Sequence, residues 1–145
     1  MKGVARLALA LVLTGCIASP LAAQGRPDAG SVAPGFELTS AGAEGTWTLG
    51  IDIPRGWALY APDTGELGLP LTARWAGEGE GVPVLLSGPP GRKEVSAAGP
   101  VSVYRGQVRL RAQGRPGIDR TLEVRWALCR EELCIPGTTR LTEGH

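Results

Sequence analysis

Two cysteines near the C-terminal end are the residues of this 145-residue chain best suited to chemistry. Cys129 and Cys134 are separated by four residues, a common loop length for a β-hairpin. Residues that face each other across a hairpin have Cα atoms about 4.5 to 5.5 Å apart, which is within the range of a disulfide. The spacing therefore favours a disulfide between these two cysteines.

The bridge could be redox-active or a structural staple of its hairpin, and the residues leave both interpretations open. A bridge that closes about six residues removes roughly 2 kcal/mol of unfolded-state entropy, near the low end for structural disulfides. Alternation of polar and apolar residues along 121–129 places Cys129 on the polar face of its strand, where an attacking thiolate can reach it. Both points favour a redox-active pair.

The charged residues between the cysteines also have two interpretations. Glu131 and Glu132 are typical of a solvated loop. Alternatively, their negative charge disfavours thiolate formation at the neighbouring sulfurs, an effect that the positive charge of Arg130 opposes.

Other chemistry of close cysteines finds little support in the composition. A zinc site needs about four ligands. The chain has three cysteines and one histidine, His145, which is its last residue. The same lack of a positioned imidazole argues against hydrolases that pair a serine or cysteine nucleophile with histidine. We therefore expect no metal and no other cofactor.

The elements that must position the cysteines are β-strands. Residues 46–53 alternate polar and apolar side chains with a period of two, so that Trp47, Leu49, Ile51 and Ile53 would face a core. Further candidate strands are residues 71–75, 82–87, 101–104, 107–112, 121–129 and 134–141. Glycine and proline turns separate them, and no segment of ten or more residues has a helical period. The pattern predicts one all-β domain, an immunoglobulin-like β-sandwich.

The N-terminal residues predict export. Lys2 and Arg6 precede an apolar run that begins at Leu7, and small residues follow at Ala22 and Ala23. This order is typical of a secretory signal over residues 1–23. The run is about ten residues long, whereas a membrane-spanning helix needs about 20. Residues 13–16 also resemble a bacterial lipobox, in which case the signal ends before Cys16 and this cysteine carries a lipid anchor.

After the signal, residues 24–34 read as a flexible lead-in and residues 35–145 as the folded domain. Without residues 1–23 the chain has 13 Lys and Arg against 14 Asp and Glu, a net charge of about −1. This balance argues against a nucleic-acid partner, which would favour a basic patch.

Three blocks carry a resemblance to a known family. The first is Gly56-Trp57-Ala58-Leu59-Tyr60-Ala61-Pro62, followed by Gly65, Gly68, Pro70 and Trp75. The second is Val103-Tyr104-Arg105-Gly106, and the third is Cys129-Arg130-Glu131-Glu132-Leu133-Cys134-Ile135-Pro136. In this order, over about residues 36–141, they resemble the N-terminal periplasmic domain of DsbD-type thiol:disulfide interchange proteins, including the related copper-sensitivity suppressor branch.

The resemblance implies an immunoglobulin-like fold and a protein-disulfide reductase type of activity in the periplasm. A thioredoxin-like domain or a membrane electron carrier would reduce the cysteine pair, which would then reduce periplasmic disulfide proteins. Cys134 would form the mixed disulfide with partners and Cys129 would resolve it. A non-catalytic binding or assembly module of the cell envelope, with a structural disulfide, is the alternative.

The chain also departs from the family pattern. Full-length members continue into a membrane-embedded carrier and a thioredoxin-like domain, whereas this chain stops at His145. We therefore expect either that the reductant is a separate protein or that the activity has been lost or changed. Gly137 stands where a second proline is usual. The family shields its cysteines with an aromatic cap loop, but residues 91–101 contain no aromatic residue, which leaves Val95 or Pro100 for this role.

Three aromatic residues of the first two blocks also have alternative interpretations. Trp57, Tyr60 and Tyr104 either pack in the core or line the cysteine site together with Val95.

Overall fold

The computed structural model of the chain describes residues 32–77, 81–116 and 120–143. The predicted signal, Cys16, residues 24–31 of the lead-in and His145 lie outside the described residues. Ten strands form the described part: β1 (Gly35–Ser40), β2 (Thr46–Asp52), β3 (Ala58–Tyr60), β4 (Thr72–Trp75), β5 (Val82–Ser87), β6 (Arg92–Ser96), β7 (Gly99–Tyr104), β8 (Gln107–Gln113), β9 (Thr121–Arg130) and β10 (Leu133–Thr142). Within these residues there is no helix long and apolar enough to cross a membrane.

All seven strands expected from the alternation are present, with small shifts at their ends. The expected core side chains of β2 and the residue after it are buried, since Trp47, Leu49, Ile51 and Ile53 are each at most 7% exposed. Three further strands, β1, β3 and β6, were not predicted. Val32, in the expected lead-in, already packs against the main core ahead of β1.

Antiparallel pairing joins the strands in one continuous order that covers both layers of the sandwich. The order is β1-β2-β8-β5-β4-β9-β3-β7-β6, and β10 pairs with β9 off this path. The first half of β5 pairs with β4 and its second half with β8, so β5 connects the two layers. Trp47 of β2 meets Trp75 of β4 edge to face, with ring centroids 4.7 Å apart. This layered arrangement confirms the predicted immunoglobulin-like all-β fold.

Strand β9 contributes to a core on each of its faces. Leu122, Val124, Trp126 and Leu128 belong to the main core. On the other face, Ala127 joins a smaller cluster with Ala58, Tyr60, Val101 and Val103, against which Cys129 packs. The expectation of a polar face at Cys129 was therefore wrong at this end of the strand. Strands β3 and β7 lie beside it there and supply apolar side chains on the same face.

Gly137 of β10 provides the space for a tryptophan on β9. The two residues are paired directly, and a Cβ atom at position 137 would overlap the Trp126 ring. The Trp126 indole N–H donates a hydrogen bond of 2.9 Å to the Thr139 hydroxyl, which fixes the ring across the glycine. A proline at this position, as the family pattern has it, would occupy the space of the ring.

Gly137→Ala should lower the free energy of unfolding by about 1–3 kcal/mol, because the added methyl group displaces a packed ring. Thr138→Ala, at the exposed neighbouring position, is the matched control and should change it by less than about 0.5 kcal/mol. Urea denaturation of the three proteins measures the difference. Equal stability of the Gly137→Ala variant and the parent would contradict this packing.

A buried carboxylate accepts hydrogen bonds from neighbouring strands at the end of the β9–β10 hairpin that is farther from its turn. Glu123 is 8% exposed and accepts hydrogen bonds from Arg74 on β4, at 2.7 and 3.1 Å, and from Arg140 on β10 at 3.3 Å. The hydrogen bond from Arg74 is the main cause that lowers the pKa of this carboxyl below its ordinary value of 4.5, although burial opposes it.

Because its pKa is lower in the folded state, Glu123 stabilises the fold above about pH 4.5, and the contribution is lost as the pH falls through the folded pKa. Glu123→Gln should therefore be less stable than the parent at neutral pH, and the difference should shrink in acid. Thermal unfolding at about pH 7 and about pH 3 measures this. Glu37→Gln, at an exposed position on β1, is the control. A stability difference that does not vary with pH would refute the assignment.

Candidate functional site

The β9–β10 hairpin holds the two cysteines opposite each other. Cys129 pairs with Cys134 in the strand register, their Cα atoms are 4.1 Å apart, and a disulfide joins them. The strands continue to Arg130 and Leu133, so the turn has two residues rather than the expected four. Its first residue, Glu131, has a φ of 53°, as tight hairpin turns require at this position. The backbone of the hairpin therefore holds the two cysteines close enough for their sulfur atoms to bond.

The two cysteines differ in exposure because their strands have different neighbours. Cys129 lies between β10 and β3, where it pairs with Ala58, and it is half-buried. Cys134 lies on β10, which among the described strands pairs with β9 alone, and it is exposed. An incoming thiolate therefore has its most direct access to the Cys134 sulfur.

An open cavity of about 540 Å³ lies beside the disulfide. The β9–β10 hairpin forms one side of this cysteine cavity, and the β6–β7 hairpin forms the other. The lining residues are Ala58, Tyr60, Glu94, Val95, Ser96, Ala97, Ala98, Val101, Val103, Arg105, Cys129, Glu131, Glu132 and Cys134. Most of the wall opposite the sulfurs is made of alanine and valine, so the site has an apolar surface on which a partner can rest.

The β6–β7 hairpin occupies the position expected for a cap, but it does not cover the sulfurs. Its turn consists of Ala97 and Ala98, and Val95 is 87% exposed while lining the cavity. Pro100 is exposed and does not line the cavity. Cys134 therefore stays open to solvent.

Polar contacts tie the base of the β6–β7 hairpin to the loop after β3. The buried Ser102 donates its hydroxyl to Asp63 at 2.8 Å, and its backbone N–H donates to the Thr64 hydroxyl at 3.1 Å. The hydrogen bond from Ser102, aided by the charge of Lys93, lowers the pKa of Asp63 although burial opposes it. This network fixes the position of the β6–β7 hairpin, which forms the wall of the cavity opposite the sulfurs.

The predicted lining residues separate into two groups. Tyr60 lines the cavity, and its hydroxyl lies 3.8 Å from the Cys134 sulfur. Val95 lines the cavity as well. Trp57 packs in the main core, and the guanidinium carbon of Arg130 lies 4.7 Å from the centroid of its ring. Tyr104 is also in the main core, and its hydroxyl donates to the carbonyl of Pro89 at 2.8 Å. Burial raises the pKa of this phenol.

Sequence reasoning missed an ion pair in the cavity. Arg105 donates two hydrogen bonds of 2.9 Å to the carboxylate of Glu94. These bonds lower the pKa of Glu94 and raise that of Arg105. Arg105 belongs to the second resemblance block, directly after Tyr104, but only the pairing of β6 with β7 shows that Glu94 is within its reach.

The site is equipped for exchange at sulfur. It combines an exposed sulfur, a half-buried second sulfur and a phenolic hydroxyl that can donate to a thiolate. Within residues 32–77, 81–116 and 120–143, no group of three or more histidine, cysteine or acidic side chains is arranged to hold a metal ion.

Comparison with known families decides the relationship of the chain. The family described as thiol:disulfide interchange protein DsbD, N-terminal, matches residues 28–144. The chain belongs to this family. The resemblance inferred from the three sequence blocks is thereby confirmed.

Solved structures support the fold of this family member. The crystal structure of the N-terminal periplasmic domain of ScsB from Proteus mirabilis is similar, with a TM-score of 0.53 and 16% sequence identity. The similarity covers 74% of this chain and 43% of that chain, so this chain corresponds to less than half of the ScsB domain. At this identity the comparison establishes a shared fold. No curated protein sequence matches the chain.

Tyr60→Phe should shift the pH dependence of Cys134 alkylation upward by roughly 0.5–1 pH unit, because a thiolate at Cys134 loses one hydrogen-bond donor. The measurement is the rate of reaction with iodoacetamide in a Cys16→Ser/Cys129→Ser background, in which Cys134 is the remaining thiol. Tyr104→Phe is the matched control, since its hydroxyl bonds to Pro89. Identical profiles for Tyr60→Phe and the parent would show that the phenol does not act on the sulfur.

Proposed function

We propose that this protein is a thiol:disulfide interchange module that relays electrons through Cys129 and Cys134. Its electrons come from a thioredoxin-like protein or a membrane electron carrier, and it passes them to disulfide proteins of the cell envelope. The observation that carries the proposal is the exposed Cys134 sulfur, open to a cavity, in a chain of the DsbD N-terminal family.

The strand register argues against a purely structural bridge. Ten residue pairs connect β9 to β10, and the cysteines are one pair from the turn. Backbone hydrogen bonds along this ladder already hold the hairpin. The bridge closes so short a loop that it adds only about 2 kcal/mol of entropic stabilisation. A staple at this place would therefore contribute near the low end of what structural disulfides do.

The exchange runs in two balanced steps. The thiolate of reduced Cys134 attacks one sulfur of a partner disulfide, which forms a mixed disulfide and releases the other partner sulfur as a thiolate. The Cys129 thiolate then attacks the Cys134 sulfur, which closes the Cys129–Cys134 bridge and releases the second partner thiolate. The partner gains two electrons and takes up two protons from solvent, and a reductant dithiol later restores the module by the same steps in reverse.

The proposed location is the periplasm. The signal over residues 1–23 supports export, and the similar ScsB domain is described as periplasmic. Cleavage before Cys16 would leave a lipid anchor, with the residues between Cys16 and Val32 as a tether between the membrane and the domain. Lipid attachment would keep the module beside a membrane reductant.

The roles of the two sulfurs can be tested by trapping. In a Cys16→Ser background, reduced Cys129→Ser should form a stable mixed disulfide with a thioredoxin-like protein that keeps one active-site cysteine, activated as its thionitrobenzoate disulfide. Cys134 attacks the protein sulfur, thionitrobenzoate leaves as a thiolate, and neither protein holds a second thiol that could resolve the product. Reduced Cys134→Ser should accumulate far less, because its remaining sulfur is half-buried. Non-reducing electrophoresis and mass spectrometry measure the yield.

The reduction potential of the parent distinguishes a relay from a staple. A relay requires a potential above about −300 mV, whereas structural bridges of exported proteins lie below it. Equilibration with dithiothreitol redox buffers gives the value. A potential below this limit, together with no trapped product from Cys129→Ser, would overturn the proposal in favour of an envelope binding or assembly module with a structural disulfide.

A further inference from the structure

The cysteine cavity carries an unbalanced charge. Four charged side chains line it: Glu94, Arg105, Glu131 and Glu132. Arg105 and Glu94 neutralise each other through their two hydrogen bonds. The two glutamates of the β9–β10 turn are exposed and form no ion pair with any residue that the structure describes. The cavity therefore has a surplus of two negative charges.

The arginine next to these glutamates holds its charge outside the cavity. The guanidinium of Arg130 lies over the ring of Trp57, which belongs to the main core, and neither residue lines the cavity. The attacking or leaving thiolate of a partner therefore approaches Cys134 past two carboxylates that form no ion pair with a described residue. A partner with positive charge beside its own sulfur is attracted to this rim, and one with negative charge is repelled.

We propose that Glu131 and Glu132 make the Cys134 sulfur selective for proteins whose reactive cysteine is flanked by lysine or arginine side chains. The inference rests on the proposed function, since it concerns the partners of the same disulfide. The cavity of about 540 Å³ beside the disulfide has, opposite the sulfurs, a wall of small apolar side chains on which the loop carrying the partner cysteine would lie. The charged rim and the apolar wall thus contribute separately to recognition: the rim selects by charge, and the wall accepts small side chains.

Small disulfides of different charge isolate the electrostatic part of this selectivity. The probes are cystamine, which is cationic, 2-hydroxyethyl disulfide, which is neutral, and dithiodiglycolate, which is anionic. In each reaction the Cys134 thiolate of Cys16→Ser/Cys129→Ser attacks one probe sulfur, a mixed disulfide forms, and the other half of the probe leaves as a thiolate. Stopped-flow kinetics at low ionic strength give the rate constant for each probe.

The cystamine rate divided by the neutral-probe rate should fall by about three-fold or more in Glu131→Gln/Glu132→Gln, because the attraction of the two carboxylates is lost. Dividing by the neutral probe removes differences in intrinsic thiol reactivity. Glu131→Lys/Glu132→Lys should move the preference to the anionic probe. Salt at about 0.5 M should reduce each preference through screening.

A matched control tests whether local or net charge is responsible. Glu37→Gln/Glu44→Gln removes two exposed carboxylates outside the cavity and should keep the parent's ratio. A ratio that is the same in the turn variant and the parent, or that changes equally in the control, overturns the inference. In either case the proposed function still stands if Cys129→Ser traps its partner and the reduction potential of the parent lies above the range of structural bridges. Failure of Cys134 to react with all three probes overturns both proposals.

Discussion

The register between β9 and β10 is the constraint on which the rest of the structure depends. Ten residue pairs connect the two strands, from Thr121 opposite Thr142 to Arg130 opposite Leu133. The same register places Cys129 opposite Cys134 and Trp126 opposite Gly137. A shift by one residue would turn the side chains of one strand to the other face. It would separate the sulfurs near the turn and place a side chain against the tryptophan ring in the middle of the hairpin, so two separate contacts specify the same alignment.

The position of each strand in the sheet distinguishes the two sulfurs. β9 is central at its cysteine end, with β3 on one side and β10 on the other, so Cys129 packs against the small apolar cluster. β10 lies at an edge, and Cys134 is exposed there. Two chemically identical side chains thus acquire different access from sheet topology alone. The same topology brings β6 and β7 to the opposite side of the cavity.

The sequence predicted those parts of the structure that depend on period-two alternation. Seven strands, the paired cysteines and the all-β fold follow from local pattern. β3 was missed because three residues are too few to show a period, and β6 because its charged residues 92–94 lie on an edge strand that has no fully buried position. The polar face assigned to Cys129 was wrong because neighbouring strands, not the strand itself, supply the apolar cover. Only the fold shows that Tyr60 reaches the cavity while Trp57 and Tyr104 pack in the core.

The hairpin ladder also has a consequence for the covalent complex of the proposed exchange. Because backbone hydrogen bonds set the register, Cys129 stays opposite Cys134 when the bridge opens. Well-oriented groups held in this way can react as if present at effective molarities on the order of 10⁵ M, far above the concentration of any free thiol. In the proposed exchange, Cys129 would therefore release a partner bound through Cys134 before another thiol arrives. The lifetime of that covalent complex would be set within the hairpin and would not depend on the thiol concentration of its surroundings.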